Sequence, residues 1–409
     1  MSDWGKGVNN NIGWGQGGTN DIGWGSIYDK SNAGETLLKS DLNIDAFIIE
    51  VNTANTGVSN NNQFQFTDAV GDYDVVAKQN DIVVATFNDL SGQETITLPS
   101  SGIYVLEVSA KEVNGFNRIR FGYEGDKLKI TDIKQWGEVA WSSFNAAFLG
   151  CQNMLTTATD VPNLSSVTTM YAMFRDATSA NPDTSNWDVS NVTNMSYMFF
   201  SATSANPDVS NWDVSSVTNM GYMFFNASSA NPNTTNWDVS SVTDMYAMFR
   251  SASSANPDTS NWDVSNVTDM RYMFENAQVA NPDTSNWDVS SVTNMRRMFR
   301  NASSANPDTL NWDVSNVTTM RYMFRNASSA NPDMRNWDVS NVVNMSRMFE
   351  FSNLSVNNLT ACYENWSQLN LQQNVSFSAG NTKYNSSGQA GRDILVNTYN
   401  WSITDGGLV

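Results

Sequence analysis

Two sets of side chains in this 409-residue sequence have types and spacings suited to chemistry, and both return every 25 residues. The first is acidic. Asp188 stands between Asn186 and Ser190, and the trio recurs as Asn211, Asp213, Ser215 and onward to Asn336, Asp338, Ser340. Carboxylates stacked at ~4.8 Å, the spacing of neighbouring strands, repel one another unless water, hydrogen bonds or cations intervene. The row would therefore serve as a cation-stabilised or glycan-contacting stripe, or as a ladder in which Ser and Asn of adjacent turns hold each Asp. A carboxylate pair for glycoside hydrolysis is a third use, but a row repeated this often singles out no pair.

The second set is basic. The position of Ser196 becomes Gly221, Tyr246, Arg271, Arg296, Arg321 and Ser346; the next becomes Tyr222, Ala247, Tyr272, Arg297, Tyr322 and Arg347. A third runs Phe200, Phe225, Arg250, Glu275, Arg300, Arg325, Glu350. No lysine lies between Lys134 and Lys383, so the positive charge here is all arginine, gathered in the later repeats. Arg beside Tyr suits anionic or planar ligands such as uronic acids, sugar phosphates and carbohydrate faces. The candidate receptor-binding residues are Arg271, Tyr272, Arg296, Arg297, Arg300, Arg321, Tyr322 and Arg325; the alternative is a solvated face with ion pairs to Glu275 and Glu350.

Composition removes much else. The chain has no histidine, which excludes imidazole acid–base work, His-activated nucleophiles and His-containing zinc sites. A net charge of −19 argues against wholesale binding to nucleic acid or anionic membrane. Cys151 and Cys362 form neither a disulfide framework nor a metal-binding pair and read as buried thiols. No run is long and apolar enough to span a bilayer, and no export signal is visible at the N-terminus. The expectation is a protein without enzyme activity, cofactor or metal.

The elements that must position these residues follow from self-comparison. NWDVS recurs with Trp187, Trp212, Trp237, Trp262, Trp287, Trp312 and Trp337 at unbroken intervals of 25. An earlier half-unit occupies 161–180, and a weaker echo runs from Trp136 to Met154. Trp187 and Val189 alternate with polar neighbours, which predicts a short strand. Val192, Met195, Met198, Phe199 and Ala202 then fall on one face of a short helix, capped by Ser190 or Asn191 and stopped by Ala-Asn-Pro. One unit cannot bury its own apolar face, so stacked units should form a parallel strand ladder with the Trp column as spine. Between 45 and 133, apolar runs at 47–51, 63–67, 82–87, 94–98, 103–108 and 118–121 separated by turn residues predict a β-sandwich. The first 38 residues are Gly-rich with Trp-Gly at Trp4, Trp14 and Trp24; alone they cannot fold, but indoles flanked by glycine suit docking into a partner.

The NWDVSNVTNMxxMF unit resembles the BspA-like leucine-rich surface-protein repeats of bacterial adhesins, over roughly Trp136 to Val409. Trp366 to Gly407 is similar to the cap closing such arrays. In that family a small immunoglobulin-like domain often precedes the repeats, and GDKLKITDIKQWGEVAW looks like its junction, although the Asp-Trp-Gly-Asp turn common there is missing. The N-terminal segment resembles attachment segments of bacteriophage virion proteins, which implies an anchor at Trp4, Ile12, Trp14, Ile22, Trp24 and Tyr28. The expected fold is α+β and multidomain: an extended anchor (1–38), an Ig-like β-sandwich (39–133), an α/β leucine-rich-repeat-type solenoid (134–355) and a capping unit (356–409). The expected function is a phage structural appendage, a tail or head fibre or decoration-type protein located on the virion and adhering to the host surface. Its partners would be other virion proteins and a host glycan or surface protein, with self-association into homo-oligomers open. The alternatives are a bacterial cell-surface adhesin and a polysaccharide depolymerase.

Overall fold

The computed structural model describes residues 43–111 and 115–409. The candidate anchor residues Trp4, Ile12, Trp14, Ile22, Trp24 and Tyr28 lie outside the described residues.

Eight strands come first: β1 (Phe47–Asn52), β2 (Gln63–Gln65), β3 (Asp72–Gln79), β4 (Ile82–Ser91), β5 (Thr95–Thr97), β6 (Ile103–Ala110), β7 (Ile130–Gln135) and β8 (Leu155–Thr156). Six make an open sheet in the order β4-β3-β6-β1-β7-β8, and β2 pairs with β5. Alternation sets which face is inside: Tyr73, Val75 and Ala77 of β3 are buried between partly or fully exposed neighbours. The expected strand at 118–121 reduces to a single bridge between Val70 and Arg118. The sequence reading did not mark β3 and β7, because Asp72, Asp74, Asp132 and Lys134 dilute their apolar runs. β7 pairs with β1 on one side and, in parallel, with β8 on the other, so the sheet continues past residue 133 into the first repeat-like turn.

The repeats depart from the expected strand and helix. Trp187 and Val189 are buried and Asn186 and Asp188 exposed, as alternation requires, but NWDVS pairs with no strand. The parallel ladder runs instead through single bridges at Thr169, Asn194, Asn219, Asp244, Asp269, Asn294, Thr319 and Asn344. The segment expected as a helix is a train of tight turns: Met198 N donates to Met195 O, Phe200 N to Tyr197 O, and Ala202 N to Phe199 O. Between them, alternate amides reach the next repeat. Met195, Tyr197, Phe199 and Ser201 donate to the carbonyls of Asn219, Gly221, Met223 and Phe225 at 2.7–3.0 Å. Tyr197 and Ser201 hold φ of 61° and 53°, and their equivalents in later repeats do the same. Left-handed residues end any helix. The apolar spacing is common to both conformations, and hydrogen bonding to the neighbouring repeat selects the turns.

The core is continuous from the sheet through the last repeat. The Phe column is its most regular part: Phe174, Phe199, Phe224, Phe249, Phe274, Phe299, Phe324 and Phe349 stack with centroids 5.3–5.7 Å apart. The Trp column stacks at 6.1–6.4 Å from Trp237 to Trp337, while Trp187 meets Trp136 edge-on. Phe rather than Trp is thus the unbroken spine. The echo at 136–154 is a true turn of the stack, since Phe144, Ala146, Phe148 and Gly150 donate to Thr169, Tyr171, Met173 and Arg175.

At the far end, α1 (Val356–Trp366), β9 (Ser376–Ser378), α2 (Gln389–Asn397) and β10 (Ser402–Thr404) follow. Ser355 caps α1 by accepting the Asn358 amide. Met345 and Phe349 donate to Ser376 and Ser378, so β9 takes the place of the next repeat, and the Phe377 ring closes the Phe column edge-on. The described residues thus form a β-rich repeat protein with few helices, all of them at this C-terminal end.

Candidate functional site

One face of the repeats carries the variable residues. In each turn train Met195, Met198 and Phe199, or their equivalents, point into the core; at positions 196, 197 and 200 Ser196, Gly221, Ala247 and Glu275 are buried and the tyrosines, phenylalanines and arginines stay partly exposed. This face has two zones.

The early zone is aromatic. Tyr197 stacks on Tyr222 at 4.5 Å, while Tyr222 meets Tyr246 at 4.9 Å and Tyr246 meets Tyr272 at 5.3 Å with tilted rings. Beside them Phe200 and Phe225 stack in nearly parallel planes with centroids 4.4 Å apart. Arg175 lies over Tyr197 and Phe200 at one end; Arg250 lies over Phe225 and Arg271 over Tyr246 toward the other. Burial, followed by contact with Tyr246, raises the Tyr222 pKa.

The late zone is cationic. Five guanidinium groups surround Tyr322: Arg321 at 4.6 Å, Arg297 at 5.2 Å, Arg325 at 5.7 Å, Arg347 at 5.9 Å and Arg300 at 6.0 Å. Arg321 donates to the Tyr322 hydroxyl at 3.0 Å, and this bond with the neighbouring positive charge holds the Tyr322 pKa below its usual value. Tyr272 marks the boundary, with Arg250, Arg296 and Arg297 5.1–5.7 Å from its ring.

Counterions divide the eight candidate residues further. Glu275 is fully buried, accepts from Arg300 at 2.7 Å, and lies 3.6 Å from Arg297. Arg250 Nε is 2.6 Å from its other oxygen, an ion pair without hydrogen-bond geometry. Arg325 pairs with Glu350, and Arg271 with Asp269. Arg296 and Arg321 have no ion pair among the described residues, and the Nε of each is buried without an acceptor. The cause is visible in sequence. The Asp269 that neutralises Arg271 becomes Asn294 and Thr319 in the next two repeats.

The acidic row is arranged otherwise than expected. Asp188 accepts both the amide and the hydroxyl of Ser190, two residues on in its own repeat and not in an adjacent one. Aspartate readily closes such local turns. These bonds hold the Asp188 and Asp313 carboxyls below the usual range. The links between repeats come from asparagine: Asn211 reaches the Ser185 carbonyl, and the Asn181 side chain accepts the Asn206 amide, a pattern repeated to Asn331. The sequence reading took this Ala-Asn-Pro asparagine only as a helix stop, and its strict recurrence was the available signal. Among the described residues no cluster of three or more His, Cys, Asp or Glu forms a metal site. Cys151 and Cys362 are free and buried, and burial pushes both thiols up in pKa.

The repeats match the family described as Mycoplasma protein of unknown function, DUF285, twice, over residues 142–261 and 248–366, which together span more than half of the chain. The chain belongs to this family. The matched stretch is the one resembling BspA-like repeats, so a BspA-like repeat surface protein is supported at family level. No curated protein and no solved structure matches the chain. The aromatic zone of Tyr197, Tyr222, Tyr246, Phe200 and Phe225 was missed as a site by sequence reasoning. Its signal was present in the same positional comparison that exposed the arginines.

Proposed function

We propose that this chain is a non-catalytic bacterial cell-surface adhesion protein. In this reading an Ig-like β-sandwich carries a repeat solenoid, and the cationic zone engages an acidic glycan on the opposing surface. The supporting observation is the pair Arg296 and Arg321, equivalent positions in adjacent repeats left without counterions. Uncompensated like charges on adjacent repeats repel, and an anionic ligand would relieve that repulsion. The family match backs this reading better than the virion appendage. The latter draws on the N-terminal segment with Trp4, Trp14 and Trp24, which lies outside the matched residues.

The test uses the full chain and polygalacturonate. Binding should weaken as salt shortens the Debye length from ~10 Å at 0.1 M toward ~3 Å at 1 M, and Arg296→Ser with Arg321→Ser should reduce it at least tenfold. Undiminished binding by that variant would remove the cationic zone from the reading. Antibody to the repeats should label intact producing cells; labelling confined to phage particles would restore the virion reading. New reducing ends after incubation with polysaccharide would reveal an enzyme.

A further inference from the structure

Tyr322 is the one member of the cationic zone whose hydroxyl is held by an arginine. It accepts from Arg321 Nη2 at 3.0 Å, and among the described residues nothing accepts its own proton. A phenol has a donor as well as acceptor sites. Arg321 fills an acceptor site, and because the residue is partly exposed the donor is left for solvent or a ligand. The fold does not demand a tyrosine here: the turn train keeps its left-handed residue, φ 52–62°, whether Ala247, Tyr272, Arg297 or Tyr322 occupies it. Tyr272, the equivalent two repeats earlier, also lies among arginines, but among the described residues none of them donates to its hydroxyl.

Positive charge faces Tyr322 from three repeats. Arg297 and Arg300 come from the preceding one, Arg321 and Arg325 from its own, and Arg347 from the next. The acids among them are Glu275, paired with Arg297 and Arg300, and Glu350, paired with Arg325 and Arg347. Arg321, the arginine bonded to the hydroxyl, is the one left without a counterion. A neutral donor and a bare cation therefore stand side by side, two donors for the two oxygens of a carboxylate. The same surroundings favour the phenolate and hold the Tyr322 pKa below its usual value. Ionisation would remove the donor and set a negative charge beside the incoming acid.

We infer that the Tyr322 hydroxyl is a direct contact of the acidic glycan, donating its proton to a uronate carboxylate that Arg321 also holds, and that ionisation of this hydroxyl releases the ligand. The inference rests on the adhesion reading and gives that site a neutral donor and an alkaline limit. The protonated hydroxyl is the binding form, so affinity is full below the Tyr322 pKa. It falls as pH rises through that pKa, short of the range near ~10 where ordinary tyrosines ionise. By linkage, bound glycan must raise the same pKa.

The experiment titrates the full chain and its Tyr322→Phe variant with short polygalacturonate fragments between about pH 7 and about pH 10, where the uronates stay ionised. Phenolate absorbance is followed with and without ligand. Tyr322→Phe keeps the ring and its guanidiniums and should bind about tenfold more weakly at neutral pH, the scale of one charged hydrogen bond, with a flatter profile on the alkaline side. In the unaltered chain affinity should fall on that side, and ligand should move the midpoint of the earliest-ionising tyrosine upward. That shift needs no variant, so it decides the matter even if Tyr322→Phe unfolds. An unmoved midpoint, or a folded variant with the affinity and pH profile of the unaltered chain, would overturn the hydroxyl contact alone. Failure of the unaltered chain to bind the fragments at any pH would overturn the adhesion reading beneath it.

Discussion

The early and late halves of the repeat face share one backbone and differ in how their side chains are compensated. In the early half Tyr and Phe stack on each other, and Arg175 pairs with the adjacent Asp176. In the late half seven arginines from Arg271 to Arg347, leaving Arg335 aside, meet few acids, and two of them have none. One repeat carries the transition: Glu275, buried under Arg250, Arg297 and Arg300, ties the last aromatic turn to the first doubly basic one. A repeat scaffold can thus change its surface chemistry within one turn, because the core and the backbone ladder carry stability independently of that surface.

Both halves rest on the same core, so the largest effect should fall there. Trp262→Ala, between two stacked indoles, should cost about 3–5 kcal/mol in denaturant unfolding. A loss under ~1 kcal/mol would mean that the indole column is expendable and the Phe column suffices.

The counterion difference predicts the next effect. Arg297→Ser with Arg300→Ser leaves the buried Glu275 with Arg250 as its remaining ion-pair partner and should cost about 2 kcal/mol, whereas Arg296→Ser with Arg321→Ser should stay within ~0.5 kcal/mol. Equal effects from the two pairs would erase the distinction between structural and available arginines.

The smallest effects concern protons. Burial raises the Asp244 pKa, and its equivalents in the adjoining repeats are Asn219 and Asp269. A carboxyl whose folded pKa is raised opposes folding at neutral pH, and the cost is relieved as pH falls; Asp244→Asn should raise the melting midpoint slightly. Asp183, Asp188, Asp208, Asp258, Asp283 and Asp313 behave oppositely, since their serine bonds lower the folded pKa. Their stabilisation is present above the unfolded carboxyl range, near ~4, and is lost as pH falls through the lower folded values. Thermal midpoints should decline below that range, and Ser190→Ala with Ser315→Ala should flatten the decline.

The sequence by itself determined the period, the residues that face the core and the residues that differ from turn to turn. Trp187, Val189, Val192, Met195, Met198, Phe199 and Ala202 are all buried, as their spacing indicated. A repeat of constant length records burial directly, because every copy must satisfy the same neighbours. Conformation was decided by tertiary structure. Apolar spacing fits a helix or a train of turns equally, and the choice fell to amides whose acceptors lie 24 residues away, beyond any local pattern. The same holds at the site. Arg296 and Arg300 look alike in sequence, and only packing buries Glu275 against one of them and leaves the other without a counterion.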